Sequence, residues 1–144
     1  MSALVPDEHS RYEFKELLIG ILRHVAPDEA PSFEAMKEVS DPETVKRALR
    51  RGRTRSIPGG IEMGVVGLHL VTGTLALVEG YRVWKDRKDR VEMENDIRQA
   101  WQQALVHAGM TPELARLIPV KFTPDMIRFI TKVLLDKPGD NGVR

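Results

Sequence analysis

The stretch Met63-Gly-Val-Val-Gly-Leu-His-Leu-Val-Thr-Gly-Thr-Leu-Ala-Leu-Val78 decides the fold class, because it runs sixteen residues without an Asp, Glu, Lys or Arg. At about 100° per residue, Glu62, His69, Gly73, Ala76 and Gly80 fall within about 60° of one another on a helix. Val65, Val66, Leu68, Leu70, Val71, Leu75, Leu77 and Val78 cover much of the remaining circumference. A helix that is apolar nearly all round, with one narrow stripe of small residues, is a buried helix that lets a neighbouring backbone come close. Gly73 and Gly80 each cost about 1 kcal/mol relative to Ala in a helix interior, so tight packing has to offset them. The stripe therefore predicts self-association or close helix packing, against another helix of this chain or of another copy.

Two other readings of this stretch stay open. Val, Thr and Gly favour strands and turns, so Val65 to Val71 and Thr74 to Glu79 also fit a β-hairpin turning at Thr72-Gly73. A membrane helix is the third reading. The charge-free run is about 24 Å long as a helix, short of the roughly 30 Å of bilayer hydrocarbon. Its flanks nevertheless carry bases on both sides, with Tyr81 and Trp84 where an aromatic belt sits.

Downstream, no helix breaker intervenes before Gly109. Either one helix runs from about Gly60 to Gly109 with a solvated charged middle, or two helices meet near Arg90. Ile97, Trp101, Ala104, Leu105 and Ala108 line one side of the later part, and Gly109 is the expected C-cap. Thr111-Pro112-Glu113 and Thr123-Pro124-Asp125 each repeat one start signal, a hydroxyl N-cap followed by proline and an acid, and each is expected to open a helix. Upstream, Phe14, Leu17, Leu18, Ile21, Leu22 and Val25 have helical spacing behind a Ser10 N-cap with Glu13 three residues on, and Pro27 ends the helix. A short helix from Ser32 turns Phe33, Met36 and Val39 inward, and Asp41 with Pro42 opens a third that ends in a basic last turn.

These elements predict an all-α fold, a small bundle of five to seven helices with one long central Gly-containing apolar helix. Residues 1–52 form an acidic helical region, 53–60 a basic Gly/Pro linker, and 61–137 the central long helix or helix pair with the C-terminal helices. Together they make one domain with a tail at 138–144. The chain has 144 residues, no Cys and a formal net charge of +1, which suits a single domain and removes disulfides and thiolate chemistry together. Residues 1–10 lack the basic start and apolar centre of a signal peptide, and a cytoplasmic location is expected, with membrane association as the alternative.

The net charge is a cancellation. Residues 1–45 hold ten acids and four bases, residues 46–90 eleven bases and four acids, and residues 91–144 seven of each. The cluster Lys46, Arg47, Arg50, Arg51, Arg53 and Arg55 is free of interleaved acids. Arg47, Arg50, Arg51, Arg53 and Arg55 are the candidate contacts for an anion or nucleic acid, although the absence of aromatics from 34 to 80 leaves no stacking platform beside them. The four histidines lack metal-ligand spacing, so no metal or other cofactor is expected. The glycines at 59, 60, 64 and 67 make no phosphate loop, and no G-x-S-x-G occurs. The Gly-rich apolar stretch followed by Tyr81-x-x-Trp84 and a basic run resembles small accessory proteins that accompany bacterial effector systems, a likeness that brings no residue role with it. The expectation is a non-enzymatic helical interaction or adaptor module that is homo-oligomeric or binds a partner protein through its central helix. A membrane-anchored or membrane-active protein using Met63 to Trp84 and a nucleic-acid-binding accessory protein are the alternatives.

Overall fold

The computed structural model describes residues 8–52, 66–84 and 89–135. The fold is all-α, with six α-helices and no strand among the described residues: α1 (Glu8–Val25), α2 (Ala30–Ala35), α3 (Pro42–Gly52), α4 (Val66–Glu79), α5 (Arg90–His107) and α6 (Pro112–Arg128). Single 3-10 turns follow α1 at Pro27–Glu29 and α4 at Tyr81–Trp84, and α6 passes into a π-helical turn at Phe129–Leu134. The apolar stretch is thus helical rather than a hairpin, but α4 is 14 residues long and stops at Gly80. The reading with two separate helices holds. Asp89 opens α5 by accepting from the backbone N–H groups of Val91 and Glu92 at 3.0 and 3.1 Å. The linker at 53–60, residues 61–65 and the tail lie outside the described residues.

Most helix ends follow the local grammar. Asp41 accepts from the Glu43 N–H and the Thr44 hydroxyl at the start of α3, and the Thr111 hydroxyl accepts from Leu114 N–H at the start of α6. Gly109, at φ 112°, closes α5 with the paired bonds of a Schellman motif: Met110 N–H to Leu105 O and Gly109 N–H to Val106 O, both 3.0 Å.

Two expected starts are corrected. α1 begins at Glu8, so Ser10 is a buried residue of its first turns and not its N-cap. Thr123-Pro124 opens no helix, because α6 runs through both Pro119 and Pro124. The Thr123 side chain is buried, and its hydroxyl donates back to Pro119 O instead of accepting from an N–H ahead of it. That is the i−4 back-bond open to a threonine inside a helix. The π-helical turn follows, closed by Leu135 N–H to Ile130 O at 2.8 Å.

The core is one cluster. Phe14, Leu18 and Ile21 of α1 meet Phe33, Leu70, Trp101 and Ile130, all fully buried. The Phe14 and Phe129 rings lie 5.8 Å apart and tie α1 to the π-helical turn. At the centre, Trp101 Nε1 donates to Thr74 Oγ1 at 3.0 Å, so the one polar atom of the indole is satisfied where α4 crosses α5. The crossing is close. A Cβ placed on Gly73 would lie 2.9 Å from the Leu105 Cα and 3.0 Å from the Ala104 carbonyl oxygen.

The entry of α4 is fixed from far along the chain. Glu29 is buried, and its carboxylate accepts from Gly67 N–H at 2.7 Å and from Val66 N–H at 3.3 Å. An anion at a helix N-terminus satisfies donors that have no partner within the helix and meets the positive end of its dipole.

Replacing Glu29 with Ala strips the buried start of α4 of its acceptor, and urea unfolding is expected to show a loss of about 1.5–3 kcal/mol, the worth of bonds to a charged group. Gly20 of α1 and Gly73 of α4 are expected to respond oppositely to alanine. Gly73→Ala forces the α4–α5 crossing apart and costs about 1–3 kcal/mol as overpacking does. Gly20→Ala, whose Cβ meets nothing within 4 Å, gains about 0.5–1 kcal/mol of helix propensity. The same unfolding measurement reads both.

Candidate functional site

The stripe read from the sequence is split by the fold. Gly73 is buried against α5 of the same chain. Ala76 is exposed, and Gly80 is half-buried with only the Leu77 carbonyl oxygen, at 3.8 Å, near a would-be Cβ. Glu62 lies outside the described residues. The glycine that sequence periodicity passed over is Gly67, where an added Cβ would sit 3.0 Å from Glu29 Oε1 and 3.1 Å from the Phe33 ring. Nothing local signals that contact, because its partners lie more than thirty residues upstream.

His69 is half-buried, and its ring lies over the turn between α5 and α6. A Cβ on Gly109 would be 2.9 Å from Nε2 and 3.2 Å from Cε1. Gly109 thus serves two needs at once, the left-handed backbone of the cap and the room for this imidazole. Burial lowers the His69 pKa from the ordinary 6.5, since desolvation disfavours the imidazolium.

With Gly73 turned inward, the outward side of α4 carries Leu68, Thr72, Leu75, Ala76 and Glu79. Thr72, Ala76 and Glu79 are exposed and the two leucines half-buried. From Val66 to Val78 this strip holds no charged residue. An outward helix face is ordinarily where Lys, Arg, Asp and Glu gather.

A second surface lies on the far side of α1. A cleft of about 440 Å³ opens between α1 and the end of α6, floored by Leu17, Phe122, Phe129 and Val133, with Gly20 exposed at its α1 edge. Glu13 and Glu16 form its α1 rim, and Asp125, Arg128 and Lys132 the other. Asp125 and Arg128 pair with each other at 3.2 Å. The nearby His24 ring meets Phe122 edge-on at 5.8 Å.

Of the basic cluster, Lys46 and Arg47 are exposed on α3, Arg50 and Arg51 fall on its last turns, and Arg53 and Arg55 lie outside the described residues. No helix among the described residues is long and apolar enough to cross a membrane. Among the same residues no group of three or more His, Asp or Glu side chains is arranged to hold a metal ion.

The lowered pKa of His69 sets a pH dependence. Its neutral form is favoured in the fold, so its contribution to stability is complete above pH about 6.5 and is lost as pH falls through the lower folded pKa. Urea unfolding at pH 7.5 and pH 5 is expected to show a larger acid loss in the wild type than in His69→Leu. Comparison with protein-family models, with curated proteins and with solved structures finds no significant match.

Proposed function

We propose that this chain is a non-enzymatic helical interaction module that self-associates through the outward face of its central apolar helix, α4. The observation that carries the reading is the uncharged strip Leu68, Thr72, Leu75 and Ala76. Before Glu79, whose exposed side chain ends the strip, the outward side of α4 holds no charge, and that part of the helix meets a second copy of itself without like-charge repulsion and without desolvating an ion. The small residues Thr72 and Ala76 let two backbones approach, and the half-buried Leu68 and Leu75 along one edge complete an apolar contact. The inward glycine face, bound to α5, builds the protomer, and the outward face joins protomers.

Size-exclusion chromatography with light scattering tests the reading. The wild type is expected above monomer mass at micromolar concentration. Ala76→Glu, which places a charge in the strip without touching the core, is expected to weaken association at least about tenfold, since an unpaired charge in an apolar contact is costly. A wild type that stays monomeric at high concentration, or an Ala76→Glu variant that associates unchanged, overturns it.

A further inference from the structure

The cleft between α1 and the end of α6 has three properties that converge. Gly20 is exposed at the α1 edge of the cleft, on the same arc of the helix as Glu13 and Glu16, and a Cβ there would touch nothing in the protomer. The fold thus gives no packing reason for a residue that disfavours helix, whereas a glycine on a helix surface admits another backbone at close range. The floor is apolar, with the Phe122 and Phe129 rings beside Leu17 and Val133.

The rims differ in sign. Glu13 and Glu16 make the α1 rim negative, and because Asp125 and Arg128 neutralise each other, Lys132 leaves the opposite rim positive. Among the described residues, Glu13, Glu16 and Lys132 have no ion-pair or hydrogen-bond partner. A surface with one acidic and one basic edge along a groove is self-complementary. A two-fold axis running along the groove lays the α1 rim of one copy on the α6 rim of the other, and Glu16 then meets Lys132 twice.

From this geometry we propose that the α1–α6 cleft seats a second copy of this chain in a two-fold arrangement, as an interface separate from the α4 strip. The close approach that Gly20 allows along the α1 rim and the apolar surface beside it supply the affinity, while the rim charges fix register. Two isologous faces on one protomer build assemblies larger than a dimer.

Sedimentation over a concentration series separates the two faces. In the Ala76→Glu background a dimer remains, weakened by salt. Adding Lys132→Glu to that background raises its dissociation constant at least about tenfold, and further adding Glu13→Lys with Glu16→Lys restores it. Gly20→Trp places a bulky ring on the α1 rim, abolishes the same dimer and leaves the helical far-UV circular dichroism of the parent. An Ala76→Glu protein that is monomeric at every concentration overturns the proposal. So do cleft variants that associate as their parent does. Failure of the α4 reading looks different, because Ala76→Glu then matches wild type while Gly20→Trp and Lys132→Glu alone produce monomers.

Discussion

The buried carboxylate of Glu29 is the contact on which the arrangement of the helices rests. It holds the first two described N–H groups of α4, and it does so from a 3-10 turn fixed by Pro27 just after α1. Gly67, having no Cβ, leaves the carboxylate and the Phe33 ring the room to come this near, since a Cβ would meet them at 3.0 and 3.1 Å. Once the start of α4 is held there, its register against α5 follows. Thr74 reaches the Trp101 indole one turn before Leu77, Gly73 falls on Leu105, and His69 falls on the Gly109 cap. A shift of α4 by a single residue would place a Cβ against the Leu105 backbone and remove the partner of the buried indole N–H. Such a register has no cheap alternative.

Local signals carried the fold class and many of the boundaries. Asp41-Pro42, Thr111-Pro112 and Gly109 act within one helical turn, so the physics that makes them caps is complete in a few residues. Thr123-Pro124-Asp125 has the same letters as Thr111-Pro112-Glu113 and a different outcome. Packing of Thr123 into the core turns its hydroxyl back toward Pro119 O, and the burial of Ile118, Met126 and Ile127 on either side of Thr123 in the chain holds the helix continuous across both prolines. Ser10 is misleading for a related reason. Its capping-box spacing with Glu13 is intact, yet the helix begins before it and the serine is buried. Glu29 was not legible as a cap at all, because its partners are 37 and 38 residues away.

The small-residue stripe was legible as a pattern and not as a surface. Periodicity groups residues by angle about one helix, but the neighbours decide which part of that arc is inside. On α4 the divide falls between Gly73, against α5, and Ala76, exposed. The same residue type also has opposite meanings in two helices. Gly73 is disfavoured locally and compensated by the α5 backbone, whereas Gly20 is disfavoured locally and compensated by nothing in the protomer. A sequence scan gives both the same weight, and only the surrounding atoms separate a glycine that closes a core from one that leaves a surface open.

The charge asymmetry takes on a geometric form by the same reasoning. Within the acidic N-terminal third, Arg11 faces Glu38, Arg23 binds Glu34, and Lys15 donates to the backbone carbonyls of Glu34 and Met36. These bases are drawn toward α2 and the α2–α3 connection. Glu13 and Glu16 are left on the cleft side without local compensation, and Lys132 stands across from them on a C-terminal third that is neutral by count. Each exposed pair of this kind is worth only about 0.2–1 kcal/mol in isolation. Charge therefore does not hold such a face together. What it supplies is direction: an apolar floor alone accepts a partner in either orientation, and rims of opposite sign disfavour the one that sets acid on acid.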